Sequence, residues 1–342
     1  MMNFDRDGVA LANGNFYGLP YGTDDADLII QSVPWDVTTS YRPGASRGPE
    51  AIMEASMQVD LFDANIPEVW KMKIAGAPMD AGVVRHNAVF RNIAEQIIHS
   101  LEMGYEEGNQ NDLRKVNEAS DKLNRHVEET ASSWMDRGKL VGLLGGDHSV
   151  PFGYVKALAS RHSDFGILHL DAHADLRKAY EGFEFSHAST FCNILDRIPQ
   201  VSALVQVGQR DFCSSESDRM LNDPEITAFT GFLISSRMFR GETWDGICDE
   251  IIDSLPEEVY VSFDIDCLSP ALCPGTGTPV PGGLSFQQVD YLLLKLAYSR
   301  KRIIGFDLCE VSPASEDSID AITGARLLFK LATYTLYNNQ KK

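Results

Sequence analysis

Eight short apolar runs punctuate the chain, and most of them stop abruptly at a polar or glycine-rich stretch. They are "ADLIIQSVPWD" near 26–36, "KIAGAPMDAG" near 73–82, "KLVGLLGGDHS" at 139–149, "FGILHLDAHAD" at 165–175, "SALVQVGQRDF" at 202–212, "GFLIS" at 231–235, "VYVSFDIDCLSP" at 259–270 and "RIIGFDLCEVSP" at 302–313. Short runs rich in Ile, Leu and Val, bounded by turn residues, read as strands buried on both faces. Between most of them lie segments whose apolar residues recur with helical spacing, such as "GPEAIMEASMQVDLF", "SFQQVDYLLLKLAYS" and "DSIDAITGARLLFKLATYTLY". The alternation predicts an α/β fold, a three-layer αβα sandwich around a mainly parallel sheet of about eight strands.

No linker or repeat divides the chain, so residues 1–342 read as one domain. The least regular region is 86–138. It holds an apolar-striped helix, "NAVFRNIAEQIIHSLEMG", a polar break, "YEEGNQND", and a highly charged helix, "LRKVNEASDKLNRHVEETASSWMDRG". The charge of the second helix predicts a solvated surface pair, with a functional cap as the alternative.

Composition removes several partners. Lys+Arg of 30 against Asp+Glu of 49 gives a net charge of −19, which disfavours nucleic acid and anionic membranes. No stretch approaches the ~20 apolar residues of a membrane span. The N-terminus lacks a basic region followed by an apolar core, so no signal peptide is expected. The six cysteines form no C-x-x-C pair and lie in or beside apolar runs. They are expected to be reduced, buried thiols of a cytoplasmic protein.

Four of the strand ends carry one kind of chemistry. "GGDHS" offers His148, "DAHAD" offers Asp171, His173 and Asp175, "SFDIDCLSP" offers Asp264 and Asp266, and "FDLCEVSP" offers Glu310. Ligands of open α/β sheets bind outside the carboxyl ends of the strands, where such side chains converge. Asp264 and Asp266, two apart on a strand, are expected on one side, about 6.6 Å apart along the chain. An extended Asp171–Asp175 stretch would span roughly 13 Å, too far for one ion, so the chain must curl after Asp171. So many buried carboxylates call for cations, and two divalent ions about 3.5–4 Å apart would neutralise them. Oxygen-rich ligation with two imidazoles and no thiolate favours Mn²⁺, with Ni²⁺, Co²⁺ or Zn²⁺ as alternatives.

"GGDHS", "DAHAD", "SHAS" and "SFDID…GTGTP…GG" resemble the signatures of the ureohydrolase family, the arginases and agmatinases. The likeness runs from "PWDVTTSYRPGASRGPEAI" to "EVSP", and "DAHADLR…YEG…FSHAS" with "PGTGTPVPGG" is closer to the agmatinase-like members. The resemblance implies an arginase-like fold, two manganese ions and a homo-oligomer, trimer or hexamer. It places His148, Asp171, Asp175 and Asp264 on one ion, and Asp171, His173, Asp264 and Asp266 on the other. His187 falls at the family's proton-shuttling histidine, Glu310 at the carboxylate that holds the guanidinium, and Thr278 beside that group. One position departs from the family's D-x-D-x-x-D-P, where Ser269 replaces the last Asp; turn stability or substrate fit is the expected consequence.

The implied reaction hydrolyses a small cationic guanidino substrate to urea and an amine. Agmatine leads, followed by guanidinobutyrate, arginine, formiminoglutamate and free guanidine. The acidic balance favours a cationic tail, whereas Arg177 or Lys178 could hold a carboxylate. A single-zinc deacetylase would need fewer carboxylates, and a non-catalytic guanidino-binding relative would need no proton shuttle. Among the remaining residues, His169 reads as a core histidine, with a supporting partner of the clustered donors as the alternative, Asp147 as a brace of its turn, and Asp36 and Tyr41 as candidates for the cleft mouth.

Overall fold

A computed structural model of the chain describes residues 4–105, 110–314 and 319–340. Residues 106–109 of the polar break, and 317–318 at the start of the last helical segment, lie outside them. Eight strands are present: β1 (Leu28–Val33), β2 (Ile74–Gly76), β3 (Leu140–Gly145), β4 (Phe165–Leu170), β5 (Val201–Val207), β6 (Ile226–Phe229), β7 (Glu258–Asp264) and β8 (Arg302–Cys309). They form one sheet in the order β2-β1-β3-β8-β7-β4-β5-β6, and every pairing is parallel. The helices are α1 (Gly48–Ser56), α2 (Ala81–Glu102), α3 (Gln110–Asp136), α4 (Pro151–Ala159), α5 (Thr190–Arg197), α6 (Ser214–Asn222), α7 (Gly231–Phe239), α8 (Trp244–Asp253), α9 (Phe286–Tyr298) and α10 (Ile319–Gln340).

Strand side chains alternate between two cores. Leu168, Leu170, Val205 and Val207 join a cluster with residues of α1, α8, α9 and α10. Phe165, Ile167, Val201 and Leu204 join another with residues of α2 to α6. Since successive side chains on a strand point to opposite faces, the sheet is covered on both sides. Each fully buried Leu, Ile or Val in these cores contributes about 1.5–3 kcal/mol.

Two expectations are corrected. "GFLIS" is the start of α7, not a strand, because the Thr230 side chain accepts the Leu233 N–H at 3.2 Å and caps a helix there. The strand of that region is the short edge segment "ITAF" of β6. The charged helix α3 is not merely solvated either. Val116, Ala119, Leu123, Val127 and Ala131, three or four apart, are buried in the second core, and the opposite face stays wet.

Asp36 does not line the cleft mouth. It is buried, accepts the N–H groups of Gly44 and Ser46 at 2.8 and 3.2 Å, and pairs with Asn87 Nδ2 at 2.9 Å. It therefore shapes the loop after β1 from inside; Tyr41 is exposed, and Ser40 faces the cavity described below. Among the described residues no helix is long and apolar enough to cross a membrane. The cysteines are unpaired and all but Cys213 are buried, where burial pushes the thiols of Cys248, Cys267, Cys273 and Cys309 up.

Candidate active site

β3, β8, β7 and β4 are consecutive neighbours in the middle of the sheet. The motifs that follow them therefore finish at one edge, although His148 and Glu310 stand 162 positions apart. Gly146 makes the first turn feasible. A Cβ there would lie 2.0 Å from the Trp35 carbonyl oxygen, so only glycine lets the β3 end pass the β1 end this closely. Asp147 braces the same turn, accepting the Ser149 N–H at 3.1 Å.

His148 is the hub of one cluster. Its Nδ1 lies 3.0 Å from Asp171 Oδ2, 3.2 Å from Asp175 Oδ2 and 3.5 Å from Asp264 Oδ2. Its Nε2 faces Ser262 Oγ at 3.0 Å and Asp307 Oδ1 at 3.6 Å. An Nε2–H donated to that side leaves the Nδ1 lone pair aimed at three carboxylate oxygens.

A second cluster forms beside it. His173 Nδ1 is 3.1 Å from Asp266 Oδ2 and 3.5 Å from Asp171 Oδ1. Asp171 thus faces both hubs. β4 ends at Leu170, and the curl required after Asp171 is present: Asp175 adopts φ 54, and its carbonyl accepts the N–H groups of Phe191 and Cys192 at 3.1 and 3.3 Å.

The Asp264/Asp266 geometry differs from expectation. Asp264 closes β7, but Asp266 lies in the single turn Ile265–Cys267, so the two are not successive same-face positions of a strand. Asp264 Oδ1 accepts the Asp266 N–H at 2.8 Å and caps that turn. The turn sends Asp264 towards His148 and Asp266 towards His173.

His169 is not simply a core histidine. Its Nε2 sits 2.8 Å from Asp171 Oδ2, and its Nδ1 faces Gln206 Nε2 at 3.0 Å. Gln206 Nε2 also donates to the Ala174 carbonyl at 2.9 Å, which orients the amide. His169 Nδ1 therefore accepts, and Nε2–H donates to Asp171. Gln206, Ser262 and Asp307 were missed by sequence reasoning; a buried Asp307 within the apolar run "RIIGFDLC" was the available signal.

The electrostatics call for cations. Burial, then Asp171, pushes Asp175 up to about 7. Burial and the charges of Asp266, Asp171 and Glu310 push Asp264 well up. Burial opposes a charged His173, yet Asp266 and Asp171 drive it up to about 12. The groups satisfy one another only by holding protons, and divalent cations would supply that charge instead. Four carboxylates and two imidazoles, Asp171, Asp175 and Asp264 around His148 and Asp171 and Asp266 around His173, converge with no thiolate among them and fit a hard-to-borderline metal pair.

A cavity of about 430 Å³ opens over these groups, with Ser40, Arg177, Tyr180, His187, Asp211, Glu216, Thr278 and Glu310 in its wall. Glu310 is held by the His148 N–H at 2.8 Å, and burial, then Asp147, pushes its carboxyl well up. His187 sits in the turn before α5, and its Nδ1 has no partner among the described residues. Burial, then repulsion from His173 and His148, lowers its pKa to about 4. Ser269 lies in the neighbouring turn, where its N–H donates to the Leu284 carbonyl at 2.9 Å and its carbonyl accepts the Leu272 N–H at 2.8 Å.

Comparison with known proteins identifies the family. The Arginase family model matches residues 26–333. The chain is 33% identical over 311 residues to the N(1)-aminopropylagmatine ureohydrolase of Thermus thermophilus, covering 91% of this chain and 90% of that protein. It is 32% identical over 308 residues to the agmatinase of Pyrococcus horikoshii, covering 89% and 90%. The fold is similar to that of the agmatine ureohydrolase of Thermoplasma volcanium, with a TM-score of 0.70 at 22% identity over 99% of this chain and 97% of that one. The chain belongs to the arginase family, as an agmatinase-like ureohydrolase with a metal-site-like cluster of buried His and Asp residues.

Proposed function

We propose that this member of the arginase family hydrolyses a linear guanidino compound with a cationic tail, agmatine first, to urea and an amine. The observation that supports this reading most is the charge of the cavity wall beyond the clustered donors. Asp211 and Glu216 stand there, and Arg177, the one Arg or Lys among the described lining residues, is already 3.7 Å from Glu216 Oε2. A carboxylate tail would have to draw Arg177 away from Glu216, whereas an ammonium joins an acidic wall.

In this reading His148, Asp171, Asp175 and Asp264 hold one divalent ion, and Asp171, His173, Asp264 and Asp266 the other. Mn²⁺ comes first, with Ni²⁺, Co²⁺ or Zn²⁺ as alternatives. When bound, the pair supplies Lewis acidity and brings the pKa of water towards neutrality, which attack on a resonance-stabilised guanidinium needs. Glu310 takes the guanidinium by charge-assisted hydrogen bonds, with Thr278 beside it, and fixes the carbon over the donors. His187, whose buried Nδ1 has no partner among the described residues, accepts the proton that water loses and passes it to the leaving amine.

The relative from Thermus thermophilus favours a second substrate, N(1)-aminopropylagmatine, which extends the same tail by another amine. The test is urea release from agmatine, N(1)-aminopropylagmatine, guanidinobutyrate, arginine and guanidine, and formamide release from formiminoglutamate, after loading with Mn²⁺ or Ni²⁺. One of the first two should have the highest kcat/KM, falling as salt rises. A preference for guanidinobutyrate that Arg177→Ala abolishes would overturn the cationic reading. Absence of urea and of formamide from every compound would favour a non-catalytic relative.

A further inference from the structure

The long helices α2 and α3 contribute no group to the chemistry above, yet they grip two of the loops that wall the cavity. On α3, Asn117 Nδ2 donates to the Gly182 carbonyl at 3.2 Å, and its Oδ1 accepts the Glu184 N–H at 2.9 Å. These bonds clasp a two-residue hairpin. Tyr180 and Phe183 exchange both backbone hydrogen bonds, at 3.1 and 2.8 Å, while Glu181 and Gly182 adopt φ 53 and 83. Leu113 of α3 packs against the tip, where a Cβ on Gly182 would come within 2.8 Å of Leu113 Cδ2.

The hairpin presents Tyr180 to the cavity. Its ring lies 4.8 Å from the Arg177 guanidinium and edge-on to His187 at 6.0 Å. On α2, Arg91 Nη1 donates to the carbonyls of Asp36 and Val37 at 3.4 and 3.0 Å, and to that of Thr39. That loop leads into Ser40 of the cavity wall. A lone two-stranded hairpin is marginally stable in water, so its geometry must come from what it leans on. α3 can serve because one whole face of it is buried.

We propose that the α2–α3 pair is a brace that positions the cavity wall facing the substrate's tail, with Asn117 as the positioning residue for Tyr180 and Arg177. This rests on the reading that the cavity takes a guanidino substrate. Loss of the two Asn117 bonds lets the hairpin move, loosening the tail contacts while leaving the guanidinium end unchanged.

The test compares wild type with Asn117→Ala and Asn117→Asp, the latter keeping the acceptor for Glu184 N–H but losing the donor to Gly182. KM for agmatine should rise about 5–30-fold in Asn117→Ala, the factor that one to two hydrogen bonds' worth of free energy represents. Asn117→Asp should fall between, and should decide the matter alone if the alanine variant does not fold. The Ki of tailless guanidine as a competitive inhibitor, kcat and bound metal should change by less than about twofold. A merely structural Asn117 gives a different pattern: less active protein at unchanged KM, or KM and guanidine Ki rising together; either overturns the proposal, as does an unaltered KM. If the wild type releases urea from no guanidino compound, the functional reading fails instead, and calorimetric affinities for agmatine and guanidine then carry the same comparison.

Discussion

The backbone N–H of His148 donates to Oε1 of Glu310 at 2.8 Å. The Glu310 N–H in turn donates to the Gly146 carbonyl at 2.7 Å. Two bonds thus lock the end of β3 to the end of β8, so that the hub of the donor cluster and the carboxylate in the cavity wall move as one unit. Glu310 adopts φ 67, a left-handed conformation that costs a non-glycine residue about 1–3 kcal/mol. Being held at both its backbone and its side chain is what keeps it there.

The same junction predicts the effect of Gly146→Ala. The added methyl would meet the Trp35 carbonyl oxygen at 2.0 Å and its carbon at 2.7 Å, and backbone atoms cannot swing aside. The variant should lose about 1–3 kcal/mol, read from denaturant unfolding, and bind metal more weakly because His148 shifts with the turn. Wild-type stability with full metal content would show that the junction yields.

Asp264→Asn should act with opposite signs in two states. With metal absent, Asp264 is held well up by burial and by Asp266, Asp171 and Glu310, so it keeps a proton and resembles the amide that replaces it. Removing that carboxylate should leave the metal-stripped protein at least as stable as stripped wild type. In the proposed site the same carboxylate serves both ions, so bound metal should fall and activity drop by more than about 10²-fold, beyond the 10–100-fold typical of partners outside the ligand set. Two ions per chain retained in the variant, by elemental analysis, would remove Asp264 from the ligands.

Seven of the strands and the four acid-bearing ends were legible because buried parallel strands are continuous apolar runs and because charge at their ends is costly without a purpose. β6 was hidden by being a four-residue edge strand, and "GFLIS" by being apolar while Thr230 caps it as a helix. The bond from His169 to Asp171 is the alternative that the sequence left open beside a core histidine, and the structure shows both, a fully buried ring that also meets Asp171. Asp36 misled because an acid after a strand resembles a site residue, and only the loop's closure onto it shows that it accepts the Gly44 and Ser46 N–H groups. The grip of α3 on the 180–184 hairpin depends on contacts far apart in sequence, which periodicity does not report.

His187→Asn should leave both metals in place, because His187 stands in the cavity wall outside the two donor clusters, with its ring facing Tyr180 at 6.0 Å. Turnover should fall roughly 10²–10⁴-fold, the range for loss of a general acid–base. Unchanged kcat at full metal occupancy would take His187 out of the proton path.

Far from the cavity, Asp63 makes stability depend on acid. Burial opposes its charge, but the hydrogen bond from Lys330 Nζ at 2.7 Å and the N–H groups of Asn65 and Ile66 at 2.7 and 3.1 Å outweigh it and lower the pKa. A carboxylate lowered by folding contributes stability that is whole above its unfolded pKa of about 3.9, and that is lost as pH falls through the folded value. Asp63→Asn keeps the shape but removes the charge facing Lys330. The difference in unfolding free energy between wild type and variant should be about 1.5–3 kcal/mol and flat from pH 5 to 7, the range for hydrogen bonds to charged groups. It should shrink below about pH 4. Chemical denaturation at pH 7 and at pH 3.5, on metal-stripped protein so that ligand protonation does not intrude, measures it. A difference that grows on acidification would mean that Asp63 is protonated in the fold and that the Lys330 pair does not form.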